Sequence, residues 1–240
     1  MNQKILLLII FLFTLSPGCF FGQESQKVIE NWFSQNSRSY LYQEIKRELQ
    51  ELFTQAGFAQ IPLELLTELM DEGAAKNVPD EAILSALRQK TIEYKRVQEL
   101  FSSAKNCYRS IAPGGAENAV FLKHWSSFRN RGIPEISLED LLAFSCLQKL
   151  AKDRLLSVFR GIAGIPVLSR LSAADQTRLG KTLLESSLSV STFNSLGSLY
   201  VKGQLKNIPI SEITAIIIDA LESGKGLIRI EQEFNRRGRQ

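Results

Sequence analysis

Apolar residues return at helical spacing along most of this chain. Leu41, Ile45, Leu49 and Leu52 keep the period, followed by Leu63, Leu66, Leu69 and Met70. Ile83, Ala86 and Leu87 begin a longer stripe, which Ile92, Val97, Leu100 and Phe101 continue to about residue 105. Ahead of these, Val28, Ile29, Trp32 and Phe33 mark a first short helix. Beyond them Val120, Phe121, Trp125 and Phe128 mark another. Leu138, Leu141, Leu142 and Leu150 mark a helix predicted to reach Phe159, and Leu179, Leu183 and Leu184 one more. Ile216-Ile217-Ile218 taken alone fits a strand, but the flanking period places it in a helix. No segment carries a convincing strand pattern. The expected class is all-α, built as antiparallel helical hairpins packed into an irregular bundle or a short solenoid-like array.

The helices are punctuated by a recurring corner. Gly73 to Pro79 reads GAAKNVP, and 130 residues later Gly203 to Pro209 reads GQLKNIP. Asn tolerates the left-handed conformation that ends a helix. Val78 and Ile208 precede proline and are pushed out of the helical region. Pro79 and Pro209 suit the first position of a new helix, where a missing N–H costs nothing. Asp80 and Glu81 then favour the positive end of the helix dipole, whereas the second copy has Ile210 and Ser211 there. The apolar sets correspond as well. Phe193, Leu196, Leu199 and Tyr200 stand for the first, and Ile213, Ile216 and Ile217 for the second. Arg96-Val97 with Phe101 is echoed by Arg229-Ile230 with Phe234 at an offset of 133, so three extra residues fall near Ser223-Gly224-Lys225-Gly226. Five of the seven prolines follow Ile or Val, at Pro62, Pro79, Pro134, Pro166 and Pro209. Gly57 is the expected stop of one helix, Ser137 with Asp140 reads as a capping box, and Ser172 as a further cap. The Gly-x-x-Lys-Asn-(Val/Ile)-Pro element resembles a short helical repeat of exported, lipoprotein-like bacterial proteins that are uncharacterised. The resemblance covers about 25 residues per copy. It implies a structural unit and carries no known activity or site residues.

Pro113-Gly114-Gly115 is the strongest loop signal, so residues 107–118 are read as a loop between two helical halves, 28–106 and 119–240. The start of the chain reads as a targeting segment over residues 1–18. Lys4 is followed by an apolar run of 11 residues, Ile5 to Leu15, too short to cross a bilayer. Ser16-Pro17-Gly18 offers small residues for cleavage before Cys19. Here the chain resembles a bacterial lipoprotein signal, which implies lipidation of Cys19. It departs from that pattern in carrying Ser16, not Leu, three residues before the cysteine, and Phe20-Phe21 after it. Plain cleavage and secretion is the other reading. Residues 19–27 read as a tether.

Charge narrows the partners. The formal net charge of +4 falls to +3 without Lys4, and Lys225, Arg229, Arg236, Arg237 and Arg239 set against Glu231 and Glu233 account for it. The body is balanced and only the tail is basic, which argues against a nucleic-acid-binding domain. Such a tail suits an anionic lipid or acidic surface, and more often is a solvated helix end. Cys107 and Cys146 remain, with two readings open: a disulfide in an oxidising compartment, or two buried thiols serving as small apolar residues.

Candidate chemistry is sparse. His124 is the single histidine and no cysteine pair has zinc spacing, so neither a metal nor a cofactor is expected. Gly161-x-x-Gly164 and Gly224-x-Gly226 lack the strand-turn-helix setting of a phosphate loop. Glu64, Glu68, Asp71 and Glu72 cluster on one helix, more like a solvated face than a catalytic pair. Trp32, Trp125 and Tyr200 fit a groove or, more simply, the core. The expectation is a non-enzymatic, envelope-located helical protein, in the periplasm or at the outer membrane, that binds another protein. The alternatives are an enzyme acting on an envelope polymer through carboxylates, and a lipid or small-ligand carrier. The oligomeric state is open.

Overall fold

The computed structural model describes residues 17–103, 107–224 and 226–237, and among these the protein is all-α. Eleven α-helices are joined by corners and three 3-10 turns: α1 Pro17–Gln35, α2 Lys46–Phe58, α3 Glu64–Ala75, α4 Asp80–Ser103, α5 Asn118–Asn130, α6 Glu135–Leu147, α7 Lys152–Ala163, α8 Ala173–Glu185, α9 Leu196–Gln204, α10 Ile210–Glu222 and α11 Leu227–Arg237. No described helix is long and apolar enough to cross a membrane. The signal reading falls on residues 1–16, which lie outside the described residues, and on the first turn of α1, where Cys19 stands.

The chain divides into two compact units, Met1–Lys105 with Arg109–Lys123, and Asn106–Tyr108 with His124–Gln240. The expected loop at residues 107–118 is thus shared between the units, and the division falls inside α5.

The corners obey one local rule. Gln60, Asn77, Gly132 and Asn207 have φ values of 56°, 52°, 98° and 58°, and each precedes an aliphatic residue and a proline. The aliphatic N–H then reaches back five residues. Val78 donates to the Gly73 carbonyl at 2.9 Å, Ile208 to Gly203 at 3.2 Å, Ile61 to Ala56 at 3.0 Å and Ile133 to Phe128 at 3.1 Å. This is the Schellman closure, in which one left-handed residue satisfies the last carbonyls of a helix. Ile61, Ile133 and Ile208 are buried under the corners they make. The prolines stand one place earlier than the sequence suggested. Pro134 and Pro209 are N-caps in extended conformation, with φ −59° and ψ near 145°, and their carbonyls accept the first helical hydrogen bond. Ile165-Pro166 is built differently, since Gly164 has a negative φ of −82°.

Several expected boundaries differ. Residues 23–27 are helical rather than a tether, because Ser25 is already buried and pins α1 to the core. Gly57 is a buried position inside α2, and Gln60 makes the turn that ends it. The single helix expected over 137–159 is two. Lys149, at φ 53°, closes α6 in the same way as the other corners, with Leu150 donating to Ser145 at 3.0 Å. Ser137 caps nothing. It is fully buried in α6 and donates to the Ala173 carbonyl at 3.1 Å. Ser172 does cap α8, accepting from the Asp175 amide at 3.1 Å.

In the first unit Leu49, Phe53, Leu66, Met70, Leu87, Val97 and Phe101 form the core. Ile92 does not join it, being 70% exposed, because the stripe of α4 runs through Tyr94 and Val97 instead. Val120 is also exposed. In the second unit Trp125 meets Phe159 edge-on at 6.3 Å, and Leu138, Leu155, Leu179, Leu183 and Ile217 are fully buried. Ile216, Ile217 and Ile218 are all buried in α10.

Candidate functional site

A cleft of about 650 Å³ opens in the first unit. Three segments build it. Residues Glu24, Ser25 and Val28 come from α1, Gln60 to Glu64 and Thr67 from the corner into α3, and Pro113 to Ala116 with Asn118 and Ala119 from the loop into α5. The corner holds its wall through the Gln60 turn described above. Gln98 of α4 fastens it from behind, donating to the Gln60 carbonyl at 2.8 Å.

The loop wall is closed on itself. The Glu117 amide donates to the Ser110 carbonyl at 2.8 Å, and the Ser110 hydroxyl donates to the Glu117 carboxylate at 2.5 Å. Gly114 takes φ 76°, a value open to glycine at little cost. Gly115 lies so close to Ser110 that a Cβ would stand 2.3 Å from its carbonyl oxygen, a backbone atom that cannot swing aside. The Pro-Gly-Gly signal therefore reflects a packed cleft wall.

Asn118 is the one lining residue whose chemistry is unfinished. It is 3% exposed, yet neither Nδ2 nor Oδ1 has a hydrogen-bond partner among the described residues. An asparagine at a helix start usually spends its oxygen on capping. Here Glu117 holds the cap position, its carbonyl accepting from Phe121 at 3.0 Å, and the Asn118 carboxamide is left over. Each orphaned buried group costs about 1–3 kcal/mol. The rest of the lining mixes apolar residues with the polar Ser25, Gln60 and Thr67, and its charged groups are the carboxylates of Glu24 and Glu64, both exposed and without an ion-pair partner among the described residues. The lining holds no lysine, arginine or histidine.

The residues singled out in the sequence lie elsewhere. Cys107 and Cys146 form a disulfide within the second unit, Cα atoms 5.3 Å apart. Beside it the Tyr108 hydroxyl bonds Ser145 at 2.6 Å and donates to the Leu150 carbonyl at 2.7 Å, and burial pushes the phenol above its usual pKa. The acidic cluster of α3 is spread over separate partners. Glu68 pairs with Lys123 at 2.6 Å and Glu72 with Lys76 at 2.5 Å, which holds the Glu72 carboxyl below its usual range. Asp71 accepts from Trp32 Nε1 at 2.7 Å and Asn36 at 2.9 Å. Every Asp and Glu of the chain is at least partly exposed. His124 stacks on Phe128 at 6.0 Å, and burial, with Arg160 nearby, keeps its pKa below the ordinary value. Trp32, Trp125 and Tyr200 are core residues. No group of three or more potential metal ligands occurs among the described residues. Within the basic tail Leu227–Arg237 is helical, and Arg237 pairs with Glu212 and Glu233.

The cleft was not legible in the sequence. Its one available signal was Pro113-Gly114-Gly115, and nothing local distinguishes Asn118 from any helix-start asparagine. No protein-family model, no curated protein and no solved structure matches this chain.

Proposed function

We propose that this is a non-enzymatic binding protein of the cell envelope, and that the cleft of the first unit holds a segment of a partner protein. The orphaned carboxamide of Asn118, set in a cleft with apolar walls at Val28, Ile61, Pro62 and Leu63, carries the reading. Recognition sites combine apolar walls with a few polar groups that fix orientation. The disulfide supports an oxidising compartment, as does the resemblance of residues 1–19 to a lipoprotein signal. Were Cys19 the acylated first residue, Glu24 in the cleft would stand about 8 Å further along α1. The partner would then be met at the membrane surface.

No observation favours the alternatives. A carboxylate enzyme calls for two buried acids with raised pKa, and no acid here is buried. A lipid carrier calls for a closed apolar cavity, and this cleft is open and rimmed by carboxylates.

The test is a photo-crosslinking amino acid at Leu63, in the cleft, and at exposed Ile92 as control, in the native envelope. A discrete adduct from Leu63 and none from Ile92 is expected. No adduct from Leu63 rejects the reading. The intact mass of the mature chain checks the location, with an acylated chain starting at Cys19 as the expected result.

A further inference from the structure

We infer that Asn118 reads a main-chain amide of an extended, lysine- or arginine-bearing peptide segment, with Glu24 and Glu64 selecting its positive charge. The inference rests on the cleft being a partner site. A carboxamide offers one donor edge and one acceptor edge side by side. A peptide group offers the complementary acceptor and donor, so one amide satisfies both orphaned atoms of Asn118 at once. A carboxylate would answer only Nδ2, and an ammonium only Oδ1. The rim excludes anions. Its only charged groups are Glu24 and Glu64, unpaired and exposed, and no cationic side chain opposes them in the lining. Apolar walls at Val28, Pro62 and Leu63 cover the flanking side chains.

Neither Asn118 atom is exposed to water, so the Pro113–Ala116 loop must yield slightly for the amide edge to enter. The binding signal should therefore include the amides of Gly114 and Gly115 as well as the Asn118 side chain.

The experiment is an NMR titration of the full mature chain, labelled with 15N, using blocked acetyl-Ala-Lys-Ala-Ala-amide. The Asn118 side-chain NH2 and the Gly114 and Gly115 amides are expected to shift together. Acetyl-Ala-Glu-Ala-Ala-amide should bind more weakly, and N-acetylglucosamine, an amide borne on a sugar, should leave the three signals unmoved. Asn118→Leu removes both orphaned atoms, so it should fold at least as stably and bind the lysine peptide about tenfold more weakly. Glu64→Gln, on the exposed rim, should narrow the preference for lysine over glutamate. Peptide binding indifferent to Asn118→Leu overturns the inference and leaves the partner-site reading standing. So does tighter binding of the sugar. No shift of any cleft amide with either peptide overturns both.

Discussion

In the first copy of the repeated element α3 turns into α4 through Asn77 at φ 52°, and in the second α9 turns into α10 through Asn207 at φ 58°. Both corners close with the same backbone hydrogen bond to the glycine five residues before the aliphatic. Both glycines are there for close approach. A Cβ on Gly73 would stand 2.7 Å from Ile83 Cδ1, and one on Gly203 2.6 Å from Ile213 Cδ1. Beyond the corner the copies part. α4 runs unbroken for 24 residues, whereas Gly224, at φ 66°, interrupts the second copy between α10 and α11. The buried position of Met70 is taken by Tyr200, whose hydroxyl bonds Thr214 at 2.8 Å and whose pKa burial pushes up to about 12. The first corner instead borrows a tyrosine from outside the repeat, Tyr42, which donates to the Val78 carbonyl at 3.3 Å. Seven residues thus specify a turn. They do not specify what the turn is packed against: the first corner lies against Tyr42, and the second borders a small cleft that Glu212, Arg236 and Arg237 complete.

The contrast between the units can be broken most forcefully at the disulfide. Reduction should cost the second unit about 4 kcal/mol by chain entropy, given a sequence separation of 39 between the cysteines. Native-state hydrogen exchange should show lost protection in α6 to α10 and unchanged protection in α3 and α4. Loss in both units would show that they share one stability.

The helix-end arginines come next. Arg154 donates to the carbonyls of Leu183, Leu184, Ser186 and Leu188 at the end of α8 and lies 5.1 Å from the Phe193 ring. Arg38 donates only to Ala74 and Ala75 at the end of α3. Arg154→Ala should therefore destabilise by about 3 kcal/mol and Arg38→Ala by about 1 kcal/mol in urea melts. Equal losses would mean that the number of carbonyls held is irrelevant.

The glycines sharpen the comparison. Gly73→Ala and Gly203→Ala should each cost about 1–3 kcal/mol by overpacking. Ile83→Val, which sheds the clashing Cδ1, and Ile213→Ala, which sheds both Cδ1 and the equally close Cγ1, should recover part of the loss in double-mutant cycles. Additive effects would mean that the close approach does not set the glycine.

The smallest effect lies in the backbone. Asn77→Ala and Asn207→Ala should each cost about 1 kcal/mol, since alanine pays more for the left-handed conformation. Lys149→Gly should gain about as much. A marked difference between the two asparagines would show that tertiary packing, and not the local motif, holds one of the corners.

By itself the sequence determined the helical class, the positions of most corners and the kinship of the two copies. It could do so because helical period, left-handed tolerance and proline geometry act within a few residues. Lys149 escaped notice because lysine is an uncommon left-handed residue and Ala151, not proline, follows Leu150. Only the tertiary structure decided that Ile92 and Val120 face out, that Cys107 meets Cys146, and that Ser137 bridges two helices rather than capping one. The candidate site belongs wholly to that second class. Its walls come from α1, the corner before α3 and the loop before α5, and the Asn118 carboxamide is orphaned only because Glu117 and Ser110 close the loop without it. A missing hydrogen-bond partner is a property of everything around a residue, and no local pattern can announce it.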